Sequence, residues 1–99
     1  MKRLTHTYIL GYRIKITYKN FDDGCWGECC SDSKEITLAL KCLDDDEQHK
    51  LTLIHEVTHM IFRLTGIAYM DRNEEEAYVR CVENLVIPWI LKHQKLWNQ

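Results

Sequence analysis

Hydrophobic and polar residues alternate along the first half of the chain. The alternation over residues 8–19 has a period of two and is rich in β-branched and aromatic residues, so it predicts an amphipathic strand. A polar turn follows, and a second strand is predicted over about residues 25–30. Gly27 stands in its middle, where a glycine often marks a bulge or a close approach of another backbone. A turn over residues 31–34 then leads to a third strand over residues 35–40, paired with the second as a hairpin.

The second half of the chain has the spacing of helices. Asp44 and Glu47 form a capping-box pattern that begins a helix, and Gly66 is placed to end it after about residue 64. Asn73 and Glu76 form a second such pattern, and Pro88 ends or kinks the helix that follows. Three strands followed by two helices predict an α+β fold, with a three-stranded, mainly antiparallel sheet packed against both helices.

Composition and charge limit the class of protein. The chain has 99 residues, 45% of them hydrophobic and 28% charged, which predicts one soluble globular domain over residues 1–99. A net charge of −2 gives no electrostatic reason to expect a nucleic-acid or membrane partner. No apolar run follows the two basic residues near the start, so we expect no signal peptide and a cytoplasmic location. Five cysteines, an odd number, are expected to be reduced thiols.

The main chemical feature is the motif HEVTH, residues 55–59. It lies in a stretch without glycine or proline that is long enough for three helical turns. In a helix His55 and His59 lie one above the other on the same face and can bind one Zn²⁺. Glu56 can then act as general base toward a water on that ion. The other histidines, His6, His49 and His93, have no partner at ligand spacing, so we expect them at the solvated surface.

Two histidines make an incomplete zinc site, because catalytic zinc usually has three protein ligands and one open position. A carboxylate on the second helix is the expected third ligand. Glu75 shares the face of Tyr78, Val79 and Val82, which is predicted to point inward. Glu74 shares that face less centrally, and Glu76 is expected to cap the helix. We therefore predict Glu75 as the ligand, while the choice among the three adjacent glutamates stays open.

The order of these elements resembles the small phage- and prophage-encoded zinc metallopeptidase-like proteins. These are minimal zincins akin to the ImmA/IrrE and gluzincin groups. The similarity covers nearly the whole chain and is most specific over residues 53–61 and at Glu75-Glu76. It implies a zincin-like fold in which His55, His59 and Glu75 bind Zn²⁺ and Glu56 is the catalytic base. It also implies that an extended peptide lies along the strand near Gly27.

Two functions follow as hypotheses. The first is a zinc-dependent metallopeptidase acting on a peptide or protein substrate, with Glu56 passing the proton of water to the leaving amine. Its oxyanion would be stabilised by zinc and one further donor, for which Tyr69 and Tyr78 are both candidates. The second is a catalytically weak or inactive, zinc-stabilised interaction protein of phage or prophage origin, because a chain this short leaves little room for a substrate cleft.

Overall fold

The structure is a computed structural model that describes residues 3–65 and 72–92. Its four strands are β1 (His6–Ile9), β2 (Tyr12–Lys19), β3 (Gly27–Cys30) and β4 (Glu35–Ala39). A 3₁₀ turn, Leu40–Asp44, leads into the long helix α1 (Asp46–Leu64). The C-terminal part contains α2 (Arg72–Cys81), a π-helical turn (Val82–Val86) and α3 (Ile87–Lys92). The predicted α+β class is confirmed.

The sheet has four strands in the order β1-β2-β4-β3. The pairs β1/β2 and β3/β4 are antiparallel, as predicted for the second hairpin, but the central pair β2/β4 is parallel. The prediction of a three-stranded sheet is therefore wrong, because one predicted strand is a hairpin. Leu10 and Gly11 both have positive φ, 52° and 82°, as the tight turns that join two antiparallel strands require.

The core lies between the sheet and α1. Ile14 and Ile16 of β2 pack with Ile36 and Leu38 of β4, and Met60 of α1 covers them. All five side chains have at most 4% of their surface exposed. This packing fixes which face of α1 is turned toward the sheet, and so fixes the direction of the HEVTH side chains.

Helix α1 begins one residue later than predicted. The N-cap is Asp45, whose carboxylate accepts a hydrogen bond of 3.0 Å from the Gln48 N–H. The predicted box of Asp44 and Glu47 is therefore wrong, since Asp44 belongs to the preceding 3₁₀ turn. The helix ends at Leu64, as expected. Gly66, the predicted terminator, lies outside the described residues.

The second helical segment also differs at both ends. Asn73 lies inside α2 rather than before it, so Asn73 is not an N-cap and Glu76 has no capping-box role. Pro88 does not end the helix. A proline ring clashes with the carbonyl four residues earlier in a regular helix, and a π-helical turn precedes Pro88 here. Within it the Ile87 N–H bonds to the Val82 carbonyl, and the chain continues helically to Lys92.

Two further observations concern the cysteines and the helices. All five cysteine thiols are unpaired. Among the described helices, none combines the length and the apolar character needed to cross a bilayer.

Candidate metal centre

The two motif histidines point to the same place. Their Nε2 atoms are 3.3 Å apart, and the ring centroids are 4.9 Å apart. His59 is buried, whereas His55 is partly exposed. The spacing of four residues on one helix therefore has the predicted effect, because both Nε2 atoms face one point at the surface of α1.

Glu76 of α2 completes this group. One of its carboxylate oxygens, Oε1, lies 3.0 Å from the His55 Nε2, and Oε2 lies 2.9 Å from the His59 Nε2. Donor atoms of the three residues all lie within 4.8 Å of one another, so the three side chains could hold a metal ion. Two imidazoles and one carboxylate are the donor set that catalytic zinc sites use.

Each of the two rings also has a carboxylate at its other nitrogen, Nδ1. Glu83 Oε2 is 2.8 Å from the His55 Nδ1, and Glu75 Oε1 is 2.5 Å from the His59 Nδ1. A carboxylate oxygen accepts a hydrogen bond there, so in the neutral ring each Nδ1 carries the hydrogen and each Nε2 has a lone pair available to a metal. This arrangement favours the tautomer that metal binding needs, and the residues present fit a metal ion.

Glu75, the predicted third ligand, is not a member of this group. Glu75 is buried, with 6% of its surface exposed, as its predicted inward position requires. The inward face of the second helix was predicted from Tyr78, Val79 and Val82, and it agrees with the structure in part. Val79 is fully buried, whereas Tyr78 has 57% of its surface exposed. Glu76 lies at the two Nε2 atoms, and Glu75 contacts the His59 Nδ1 on the other side of the ring.

The carboxylate of Glu56 lies in the same cleft as the two histidines. Its side chain is 7% exposed, and it makes no hydrogen bond or ion pair with any residue in 3–65 or 72–92. Burial raises the pKa of this carboxyl group, and the neighbouring His55 and His59 offset part of that rise. A raised pKa makes a carboxylate a stronger proton acceptor.

The pKa of His55 is also displaced. Burial lowers it, but the hydrogen bond with Glu83 and the charges of Glu56 and Glu76 raise it by more, so the net shift is upward. The site is therefore a concentration of negative charge around two imidazoles, which is an environment that favours a bound cation.

Two clefts meet at the centre. The first, about 250 Å³ in volume, extends toward Trp26 and Gln48. The second, about 280 Å³, is lined by His55, His59 and Glu76 together with Arg63. Gly27, His55 and Glu56 line both. The wall opposite α1 is therefore the start of β3, which is an edge strand of the sheet.

Gly27 is required by the close packing of this wall. A Cβ at this position would lie 2.9 Å from the Thr52 Cγ2 and 3.2 Å from both Cγ and Oε2 of Glu56. The sequence suggested a bulge or a close approach of another backbone at this glycine, whereas the atoms that would meet the added Cβ are side-chain atoms of α1.

Two tyrosines were predicted as oxyanion donors, and two charged residues near the centre were not predicted. Tyr78 is exposed and lines neither cleft, and Tyr69 lies outside the described residues. Glu83 was not predicted, although its position seven residues after Glu76, two helical turns, is a usable signal. Arg63 was also missed, and it lies one turn after His59.

The prediction of surface histidines is wrong for His49, which is fully buried. Its Nε2 lies 2.9 Å from the hydroxyl of Tyr18, and its Nδ1 has no hydrogen-bond partner among the described residues. His6 is exposed, as expected, and His93 lies outside the described residues.

Comparisons of the chain with protein-family models, curated proteins and solved structures gave no match.

Proposed function

We propose that this protein is a zinc-dependent metallopeptidase. The observation that carries the proposal is the convergence of His55 Nε2, His59 Nε2 and the Glu76 carboxylate, with the carboxylate of Glu56, which has no partner among the described residues, in the same cleft. This arrangement supports the resemblance to gluzincins that the sequence suggests. The third ligand in the proposal is Glu76 rather than Glu75.

Each residue has a separate task. His55, His59 and Glu76 would hold the ion, which when bound supplies Lewis-acid polarisation of a peptide carbonyl and of water. Glu56 accepts a proton from the attacking water as the new carbon–oxygen bond forms. It then gives that proton to the amide nitrogen as the carbon–nitrogen bond breaks, so the products are a carboxylic acid and an amine.

The neighbouring strand edge supports a peptide as substrate. The Trp26 carbonyl accepts a hydrogen bond of 2.7 Å from the Ala39 N–H, so it points toward β4. Because peptide groups alternate in direction along an antiparallel strand, the N–H and C=O of Gly27 point away from β4, along the free edge. An extended peptide can pair with such an edge, which here lies beside Glu56.

The test is hydrolysis of a labelled, unfolded protein such as casein by the zinc-loaded chain. Glu56→Gln should keep zinc and lose about 10²- to 10⁴-fold in kcat/KM, the usual contribution of a general base. Glu47→Gln, an exposed glutamate on the same helix, is the matched control and should retain activity. Equal activity in the Glu56→Gln variant and the native chain would show that Glu56 is not the base.

A second candidate is the zinc-stabilised interaction protein. The observation in its favour is that both clefts, at about 250 and 280 Å³, lie below the range of about 300–1,000 Å³ that is common for small-molecule sites. The same assay separates the two functions. Stoichiometric zinc with no hydrolysis by the native chain would favour the interaction protein.

A further inference from the structure

We propose that Arg63 is a positioning residue for the metal centre, where it ties the edge strand β3 to the carboxylate that orients His59. The inference rests on the proposed function only in requiring that the centre binds zinc. Arg63 itself touches neither of the two Nε2 atoms, and its effect on zinc affinity passes through Glu75.

The guanidinium group of Arg63 contacts two elements besides its own helix. Arg63 lies on α1, and its Nη1 donates to the carbonyl of Cys29 on β3 at 3.0 Å and to the Cys29 Sγ at 3.1 Å. Its Nε lies 3.4 Å from Glu75 Oε1 on α2. One side chain therefore links the long helix, the edge strand and the second helix at a point one turn beyond His59.

The contact with Glu75 bears directly on the metal ligand. The oxygen that faces Arg63 is the same Oε1 that binds the His59 Nδ1. A carboxylate shared by a guanidinium and an imidazole N–H has little freedom to turn. Arg63 thus helps to keep Glu75 behind the His59 ring, so that the neighbouring Glu76 faces the Nε2 atoms.

Charge in the cleft strengthens this role. Four carboxylates line the second cleft, and among the described residues that line it Arg63 is the only arginine or lysine. Glu75 and Glu76 are adjacent, and two like charges at this separation repel each other. The guanidinium offsets that repulsion on the side of Glu75, away from the metal ligands.

The contact with Cys29 fixes the opposite wall. Burial raises the pKa of the Cys29 thiol to about 12, so the sulfur is a neutral acceptor and the carbonyl is the stronger partner. Gly27 packs on Thr52 and Glu56 at the start of β3, while Arg63 binds Cys29 two residues further on. The edge strand is held along α1 at two points, one on each side of the centre.

Lysine cannot replace this contact fully. A guanidinium donates from several nitrogens in fixed directions, so it can bind Cys29 and Glu75 at the same time, whereas an ammonium is a compact point charge. Arg63→Lys should keep the charge and lose one of the two contacts. It also serves as the second variant if Arg63→Gln fails to fold.

The experiment measures zinc affinity by competition with a chromophoric chelator, together with the melting temperature of the metal-free chain. Arg63→Gln should weaken zinc binding by about 10-fold, which is the lower end for loss of a group that orients a ligand. Arg63→Lys should fall between Arg63→Gln and the native chain. Arg80→Gln, an exposed arginine of α2, is the matched control and should bind zinc as the native chain does.

A double-mutant cycle with Glu75→Gln gives the decisive readout. If Arg63 acts through Glu75, adding Arg63→Gln to Glu75→Gln should change zinc affinity by less than about twofold, because the two effects are then not additive. Full additivity, or native zinc affinity in Arg63→Gln and Arg63→Lys, would overturn the positioning role alone. Failure of the native chain to bind zinc would overturn the proposed function as well.

Discussion

Glu75 and Glu76 are neighbours in the sequence, yet they hold different nitrogens of the same imidazole. Successive residues of a helix point about 100° apart, so one can reach the Nδ1 of His59 while the next reaches the Nε2. The Nδ1 contact orients the ring, whereas the Nε2 contact places the Glu76 carboxylate where it could bind a metal ion together with the ring. The two carboxylates should therefore differ in their effect on zinc binding.

We expect Glu76→Gln to weaken zinc affinity more than Glu75→Gln, for which loss of an orienting carboxylate is expected to cost about 10- to 100-fold. Glu74→Gln, at an exposed position of the same turn, is the control and should stay close to the native chain. Chelator competition on all three variants gives the order. A larger loss for Glu75→Gln than for Glu76→Gln would return the ligand role to Glu75.

The sequence predicted part of this centre and missed the rest for an identifiable reason. The spacing within HEVTH is local, so it correctly brought His55 and His59 together. The choice among three adjacent glutamates depended on the rotation of α2, which was inferred from its apolar residues. Tyr78 and Leu85 are exposed, whereas Val79 and Glu75 are buried as predicted. The apolar pattern alone therefore did not separate Glu75 from its neighbour Glu76.

At the scale of elements, the contact between β3 and α1 sets the width of the cleft. Gly27 allows the strand to approach Thr52 and Glu56 so closely that a methyl group would not fit. The nearest atom is a Thr52 methyl carbon, 2.9 Å from the position of an added Cβ. This contact therefore links the stability of the sheet edge to the position of Glu56.

Gly27→Ala should destabilise the fold by about 1–3 kcal/mol, the usual cost of overpacking, and should also displace Glu56. Thr52→Ser removes the nearest methyl group and keeps the hydroxyl that accepts a hydrogen bond from Gln48. The double variant should therefore recover part of the lost stability in chemical denaturation. No recovery would mean that the Thr52 methyl is not the source of the clash.

A second contact between elements joins α1 to β2. His49 is fully buried, its Nε2 is hydrogen-bonded to Tyr18, and Tyr18 also accepts a bond of 3.0 Å from the Leu4 N–H. Burial lowers the pKa of His49 below its ordinary value of 6.5, and the carboxylate of Asp46 offsets this only in part. The imidazole is thus neutral in the folded chain at neutral pH.

This pKa gives a pH dependence with a definite sign. Below pH 6.5 the unfolded chain binds a proton at His49 more readily than the folded chain does, so folding stability should fall as the pH falls through that value. The raised pKa of His55 acts in the opposite direction. The effect of His49 is isolated by comparing the native chain with His49→Gln, both without metal. The variant should lose less folding stability than the native chain between pH 7.5 and 5.5. Equal losses would contradict it.

The elements that depend on local sequence patterns were largely predictable, whereas the pairing between strands that are distant in the sequence was less so. Residues 12–19, 27–30 and 35–39 form strands inside the predicted segments, and α1 has nearly the predicted length. The break at Leu10 and Gly11 was missed because the alternation of apolar and polar residues continues through it. The parallel pairing of β2 with β4 joins strands whose partners no local pattern specifies.

At the scale of the whole molecule, a chain of 99 residues has a small core, and the described core consists mainly of one sheet face and one helix. Helix α2 contributes Glu75 and Glu76 to the centre and the π-helical turn contributes Glu83, and these contacts join both elements to α1. A metal ion that binds only the folded chain should therefore add substantially to its stability.

Chelation should lower the melting temperature by at least several degrees, and zinc should restore it. At a free zinc concentration 100 times Kd the expected stabilisation is about 2.7 kcal/mol, and each kcal/mol shifts the midpoint of such a domain by roughly 4–8 °C. The measurement is a thermal melt before and after verified zinc removal. An unchanged midpoint would exclude a stabilising role for the ion.

The most direct test of the metal centre is a crystal structure of the zinc-loaded chain with anomalous data collected on both sides of the zinc absorption edge. We predict one strong anomalous peak within bonding distance, about 2.0–2.2 Å, of His55 Nε2, His59 Nε2 and a Glu76 carboxylate oxygen. Glu75 and Glu83 should remain on the Nδ1 atoms. A peak bound elsewhere, or no peak between the two histidines in crystals grown with excess zinc, would contradict the proposed centre.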